Sequence, residues 1–498
     1  MSDLFYSLFF FIGYSLLISL AKIVKLRGGT KIIEGLKMKK DMLLIVLAFV
    51  LFAVSETGYA ATNYYVWRNN PSPTSPFTNW AWAATSIQDA VNLTLNNDVI
   101  YVTNGTYDTG GAVAPGYALT NRVMINKNIT VTSMNGAAYT IIKGSPASGG
   151  GCGADAVRCV YLTNNAGGKI SLFGFTLSNG YTMLSGDTLH DQSGGGLVFP
   201  AKYGSGNAVL LVQDCVLKYN TAAKEGGGAW INYGIFTNCT FTYNAATNSG
   251  GGAFVCYGQI NNSTLMWNST RTAYSYGGRA YLNGWGDIAM NYCTMMWNTS
   301  AYYGGGAYLT SNNKGGVNNC TIISNSAYYG GGAELQNDGY MRNSLVMRNT
   351  ATYGGGVFLY AGGKLCNNTV VSNVNDGVYL STTTPTNEVY NCVVWGNTRS
   401  DFYTGSPVGY SIVRHTCSAP AYSDPTLGGA GNINADPKFR GASADNYRLI
   451  GNSPCVNTGT NHANTGSFDR DDRIRIRYGI VDMGCYETIY DGSIYCVY

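Results

Sequence analysis

The stretch Gly330-Gly331-Gly332-Ala333-Glu334-Leu335-Gln336, continued by Ser344-Leu345-Val346-Met347 and closed by Asn349, is one copy of a pattern that runs from Gly226 to Asn397. The glycine triplet also stands at Gly226-Gly227-Gly228, Gly250-Gly251-Gly252, Gly304-Gly305-Gly306 and Gly354-Gly355-Gly356. The closing residue recurs as Asn220, Asn244, Asn268, Asn298, Asn325, Asn349, Asn373 and Asn397, in steps of 24, 24, 30, 27, 24, 24 and 24 residues. A period near 24 with glycine corners marks a solenoid, in which each repeat packs only on its neighbours.

The order within a copy sets the local geometry. After the glycines comes Ala229, Ala253, Ala280, Ala307, Ala333, Val357 or Val378, and two places on stands Ile231, Val255, Leu282, Leu309, Leu335, Leu359 or Leu380. Between them lies Trp230, Phe254, Tyr281, Tyr308, Glu334, Phe358 or Tyr379. Strand side chains alternate faces, so the small and aliphatic columns share one face and the aromatic column takes the other. A second strand opens at Cys215, Cys239, Ser263, Cys293, Cys320, Ser344, Asn368 or Cys392. It has Leu217, Phe241, Leu265, Met295, Ile322, Val346, Val370 or Val394 two residues later. Parallel pairing stacks equivalent residues about 4.8 Å apart, and the inward columns then fill a narrow core. The asparagines are expected to form a ladder at one corner, in the left-handed conformation that Asn tolerates. The pattern predicts an all-β parallel β-helix.

Composition agrees with this reading. The 498 residues include 65 Gly and 39 Tyr, only 12% are charged, and the formal net charge is +4. Such a chain lacks the high charge of a disordered one, and no basic patch argues for nucleic acid. At the N-terminus, Met38-Lys39-Lys40 leads into the apolar run Leu43–Val54 and then Ser55-Glu56-Thr57-Gly58-Tyr59-Ala60. This reads as a secretory signal over 38–60, cut after Ala60, and places the protein outside the cell or on its surface. Residues 1–37 contain an uncharged run, Leu4–Ala21, that is either a membrane segment or sequence ahead of a true start near Met38.

Residues 61–434 are assigned to the solenoid. Tyr64–Trp67 reads as a first strand, and Thr85 with Gln88 has the spacing of a helix start before Ile87, Ala90, Val91 and Leu93. That short helix is expected to cover the open end of the core. Asp98–Val102, Ile129–Val131 and Tyr139–Ile142 continue the strands, and Leu172–Asn179 reads as an early copy of the ladder strand. The 41 residues from Asn179 to Asn220 require an inserted loop, placed at Tyr181–Ser193. Residues 435–498 differ in character, with seven charged residues of nine from Asp469 to Arg477, and are assigned to a C-terminal capping block. Of the 13 cysteines, the strand-opening ones are expected to be small buried side chains, whereas Cys152 and Cys159 sit close together in a glycine-rich loop as candidates for a bridge.

The glycine coils and asparagine ladder resemble those of the pectin-lyase-like right-handed β-helix proteins. The closing block contains Asp436-Pro437-Lys438-Phe439, Tyr447-Arg448-Leu449, Ser453-Pro454 with Gly459, and Val481-Asp482-Met483-Gly484-Cys485-Tyr486-Glu487. It is similar to the terminal motifs of the bacterial choice-of-anchor Q proteins. The resemblance implies an exported, surface-attached β-helix, although only Thr488–Tyr498 follows the block and carries no visible sorting signal. Where those motifs hold small residues this chain has Cys455 and Cys485, and a disulfide between them is expected to pin the block.

Enzymes of this resemblance cut polysaccharides with clustered carboxylates on Ca²⁺ plus a basic residue, or with paired acids. Here Glu225, Asp287, Glu334, Asp338, Asp376 and Glu388 fall at different repeat positions and form no pair in sequence. Asp471-Asp472 lies in the terminal block beside Arg470 and Arg473, where a structural ion pair is the expectation. His190, His415 and His462 have no metal-ligand spacing, and neither a metal nor a cofactor is expected. The aromatic column Trp230, Phe254, Tyr281, Tyr308, Phe358 and Tyr379 is the candidate carbohydrate-binding surface, flanked by Tyr276, Tyr303, Tyr329 and Tyr353. The plainer alternative is that these rings stack only on each other. Glu334 interrupts the column and is the one candidate acid catalyst, with a solvated glutamate as the expected state; Arg279 interrupts the glycine column. The expected function is a non-enzymatic polysaccharide-binding or adhesive protein, against a polysaccharide lyase or glycosidase working on the same outer face.

Overall fold

The computed structural model of the chain describes residues 61–488, apart from 164–166, 202–208, 273–279, 285–287, 312–314, 382–385, 406–410, 421–428, 463–464 and 478. The expected leader, Tyr276, Arg279 and Asp287 lie outside the described residues.

The chain is a right-handed parallel β-helix with three long sheets. Sheet A has 13 strands, sheet B has 11 and sheet C has 12. Each coil passes from C through A to B and returns by the glycine turn. In one coil, Ala333–Gln336 lies in sheet C, Tyr340–Arg342 in sheet A and Leu345–Met347 in sheet B. The next coil repeats this with Val357–Tyr360, Lys364–Cys366 and Thr369–Val371. Pairing between coils is parallel and in register, so Ala333 faces Val357 and Leu335 faces Leu359. The inward columns are fully buried in one continuous core. The expected alternation of faces therefore holds.

The asparagine ladder is present, with a shift in its geometry. Asn349 Oδ1 accepts from the backbone N–H and the Nδ2 of Asn325, both at 2.9 Å. Asn349 Nδ2 in turn donates to Asn373 Oδ1 at 3.1 Å and to the Ile322 carbonyl at 2.9 Å. The ladder ends on a carboxylate, Asp401, which accepts from Asn397 N–H and Nδ2 at 3.1 and 2.9 Å. The left-handed residue is not the asparagine but the one before it: Tyr219, Tyr243, Trp267, Trp297, Ser324, Arg348 and Ser372 all have φ between 50° and 58°. The corner bends there so that the asparagine side chain can turn inward. Asn179 belongs to this left-handed column, and Gly180 holds the ladder place, donating its N–H to Asn220 Oδ1 at 2.8 Å. The glycine triplet fits against the ladder: a Cβ on Gly332 would stand 2.5 Å from the Gly356 carbonyl oxygen and 3.0 Å from Asn349 Nδ2. Close coil stacking leaves no room for a side chain at that place.

Helix Ile87–Leu93 joins the core of the first coils through Ile87, Ala90 and Val91. Its cap is Ser86 rather than Thr85, with Ser86 Oγ accepting from the Asp89 N–H. Gln88 does not reach back to the cap; it bonds across to both backbone groups of Met124. Leu172–Asn179 is two strands, Lys169–Phe173 and Thr176–Ser178, with a corner at left-handed Gly174. The inserted loop 181–193 is held by the buried Arg158 guanidinium, which donates to the carbonyls of His190, Ser193 and Gly194.

The C-terminal block lies along the side of the stack. Left-handed asparagines at the A–B corner tie it down one coil at a time: Asn391 to Thr460, Asn367 to Thr465, Asn343 to Phe468 and Asn319 to Asp469, with Nδ2–O distances of 2.8, 2.8, 2.8 and 3.0 Å. Beneath it, the outer face of sheet B turns apolar, and Leu345, Met347 and Val371 are buried against Tyr447, Cys485 and Tyr486. Earlier coils carry Thr240, Thr264 and Thr294 at the outward place that Leu345 and Val393 fill later. Asp471 pairs with Arg448 through two bonds of 2.6 and 2.7 Å, the structural role expected for that acidic pair. The expected disulfides are not formed. Cys455 packs with Cys417 in one buried cluster while Cys485 lies in another. Cys159 points into the core and donates to the Ser178 carbonyl, whereas Cys152 lies beside Thr182.

Replacing Asn349 by Ala removes two rungs of the ladder and leaves the Ile322 carbonyl unpaired. Destabilisation of about 2–4 kcal/mol is expected from lost bonds to buried partners. Urea unfolding of parent and variant checks this, and a change below about 0.5 kcal/mol, the size of an ordinary surface substitution, would contradict it.

Candidate functional site

The outer face of sheet C carries the aromatic column in register from Trp230 to Tyr379. Ring centroids are separated by 5.6 Å for Trp230–Phe254, 4.5 Å for Phe254–Tyr281, 5.1 Å for Tyr281–Tyr308 and 4.9 Å for Phe358–Tyr379, and Tyr403 extends the row by 5.3 Å. These are the spacings of coil stacking itself. The column is less open than a surface stripe. Trp230, Phe254, Tyr308 and Phe358 retain only 4–8% exposure.

The cover comes from the turn before each glycine triplet. Tyr303, Tyr329 and Tyr353 stack on one another at 5.5 and 5.1 Å and form a second row. Their edges contact the first row: Tyr329 meets Phe358 at 5.0 Å and Tyr353 meets Tyr379 at 5.5 Å. At the N-terminal end, the loop 181–193 lays His190 flat on Tyr117, 3.8 Å between centroids, beside Tyr161.

Glu334 is where structure and expectation part. It is a strand residue of the aromatic column, between Tyr308 and Phe358, and it has no solvent exposure at all. Gln336, two places on and therefore on the same face, donates its side-chain N–H to Glu334 Oε1. Glu334 Oε2 is buried without any hydrogen-bond partner. Burial pushes its carboxyl well above the usual carboxylate range, and the Gln336 hydrogen bond offsets only part of this. Glu334 is therefore a neutral acid at neutral pH.

A cavity of about 560 Å³ opens at this place. The first row supplies Tyr308, Phe358 and Tyr379, the second Tyr303, Tyr329 and Tyr353, and Glu334, Gln336, Tyr360 and Ser381 complete it. Sequence reading singled out neither Gln336, Tyr360 nor Ser381. The signal for Gln336 and Tyr360 was their place two residues beyond the column, on the same strand face. Tyr329 is pushed up to about 12, first by burial and then by the neighbouring phenols of Tyr302, Tyr328 and Tyr353. It stays protonated at neutral pH and serves as a hydrogen-bonding group, not as a base. A second cavity of about 470 Å³ lies toward the N-terminal end of the face, where Glu225 accepts from Trp230 Nε1 at 3.1 Å and Phe254 and Tyr281 form the wall. Burial raises the Glu225 carboxyl as well. Asp376 is committed to structure, bound by two Arg399 nitrogens at 2.8 and 2.6 Å. A further stacked row, Tyr219, Tyr243, Trp267 and Trp297, is 41–48% exposed at the left-handed corner and was not expected from the sequence.

Residues 256–394 match the family described as the right-handed β-helix region. No curated protein matches the chain. The pectate lyase Pel9A crystal structure is similar at 14% identity and a TM-score of 0.42, with 86% of this chain and 97% of that one covered. The PL6-family alginate lyase AlyGC is similar at 12% identity and a TM-score of 0.39, and the likeness covers 66% of this chain and about half, 49%, of that one. The A-module of the mannuronan C-5 epimerase AlgE4 from Azotobacter vinelandii is similar at 14% identity and a TM-score of 0.30, covering 64% and 91%.

A buried neutral glutamate has a stability signature. In the unfolded chain Glu334 ionises near its ordinary pKa of about 4.3, whereas in the folded chain it does not, so its contribution is most favourable below that pH and declines as pH rises toward the folded value. Glu334→Gln removes this dependence. The variant is expected to gain melting temperature over the parent at pH 7 and to lose that advantage near pH 4. An advantage that does not change between the two pH values would contradict the buried-acid assignment.

Proposed function

We propose that the protein binds polysaccharide along the aromatic outer face of sheet C, with the cavity over Glu334 as the central subsite. The observation that carries the reading is the unpartnered, fully buried Glu334 Oε2 among tyrosine rings. An isolated buried polar atom costs on the order of 1–3 kcal/mol, and a ligand oxygen placed there would recover it. Aromatic rings beside a few oriented polar groups are what sugar rings require, since their C–H faces pack on π-systems and their hydroxyls take the hydrogen bonds.

Binding without chemistry is the better-supported form. Among the residues around this cavity Glu334 is the only carboxyl, and the tyrosines are poor bases at neutral pH. The alternative, a lyase or glycosidase, draws its support from the same neutral Glu334, which has the protonation state of a general acid. The proposal extends to export and surface display, supported by the apolar run before Ala60 and the terminal motifs that resemble choice-of-anchor Q proteins.

Purified 61–498 is expected to be retarded in native gels containing the bound polysaccharide. Retardation should fall at least about fivefold in Tyr308→Ala and Phe358→Ala, in proportion to a lost stacking contact of about 1 kcal/mol. Reducing-end release on the same panel should be nil. Release abolished by Glu334→Ala would replace the binding reading with the enzymatic one.

A further inference from the structure

We propose that the cavity over Glu334 is a slot for one uncharged pyranose ring, held between Tyr308 and Phe358 with a hydroxyl or ring oxygen on Glu334 Oε2, and that it refuses uronate rings. This rests on the polysaccharide-binding reading above and adds the class of sugar.

The slot follows from the ladder. Neighbouring rings along the column lie 5.1 Å apart before the gap and 4.9 Å apart after it. Glu334 occupies the one step where a ring is missing between them, so Tyr308 and Phe358 are two strand spacings, about 10 Å, apart. That is the room for one six-membered ring packed face-on against both. Tyr329, edge-on to Phe358, stands beside the gap and limits it to a single ring.

The hydrogen-bond inventory then fixes what the ring must offer. Glu334 Oε1 is already an acceptor for Gln336, so the carboxyl proton belongs on Oε2. Oε2 has no partner, and its O–H needs an acceptor oxygen. Every pyranose supplies several. A uronate adds a carboxylate that would have to leave water beside a buried acid. Among the residues lining the cavity there is no Arg or Lys to meet it. Farther along the face Arg399 is engaged twice by Asp376 and lies over the Tyr403 ring at 4.3 Å. An uncompensated buried anion is disfavoured strongly enough to decide between two sugars of equal size.

The test is isothermal titration of purified 61–498 with neutral oligosaccharides (cello-, manno- and xylo-oligomers) and with galacturonate and mannuronate oligomers of matched length. At least one neutral oligomer is expected to bind, with uronates weaker by about tenfold or more. Uronate binding equal to or tighter than neutral binding would overturn this inference and leave the broader reading standing. No binding by any oligomer would overturn both. Glu334→Gln, which keeps a neutral donor, is expected to bind within about threefold of the parent, while Glu334→Leu loses about tenfold with an unchanged circular dichroism spectrum. A Glu334→Leu that folds and binds like the parent would also overturn the slot. The comparison between sugar classes stands on the parent protein alone, so a variant that fails to fold leaves the test intact.

Discussion

Every coil of this molecule must place its buried polar groups where the next coil can satisfy them. The asparagine ladder does this directly. An amide buried at the corner has one donor for the preceding strand carbonyl, one for the asparagine of the next coil and an acceptor for the coil before. No asparagine in the run is satisfied by its own coil, so the stack forms cooperatively or not at all. The close approach that the ladder demands also excludes side chains from the third glycine position and sets the spacing at which outward residues meet their copies. The aromatic rows are a consequence of that spacing. So is the isolation of Glu334, which is held where its neighbours above and below are rings and cannot pair with it.

Much of this was legible in the residues, because a stacked fold writes one contact many times. The period gave the solenoid, the alternation after each glycine triplet gave inward and outward columns, and the substitution of Ser for Cys in one column marked it as small and buried. What escaped was set by context that a single copy does not contain. The left-handed residue sits one place before the asparagine, and tyrosine, tryptophan, arginine and serine all occupy it, so its identity gave no signal. Ser86 outcompetes Thr85 as the helix cap by one position. The location of the terminal block depended on outward residues of sheet B changing from threonine to leucine and valine, a change visible in sequence but meaningful only once the block is seen to cover it. Cys455 and Cys485 share a terminal block yet fall in separate clusters, since the block is spread along several coils.

The candidate site was half legible. Alternation placed the aromatic column and Glu334 on one outer face, but burial of that face depends on a second tyrosine row folding over it from the preceding turns. Once covered, a glutamate that would be charged at an open surface becomes a neutral hydrogen-bond donor. The chemistry offered by the face is therefore stacking and hydrogen bonding rather than ion pairing, which is why the account favours recognition of a sugar ring over attack on one.

The most direct measurement is infrared difference spectroscopy of the carboxyl stretch, parent minus Glu334→Gln, at neutral pH with and without bound oligosaccharide. The account predicts a protonated-carboxyl band in the free protein that is absent from the variant and shifts on binding as Oε2 gains its partner. A carboxylate band at that position in the free protein would contradict the account, because an ionised Glu334 would need a cation or water that this site does not supply.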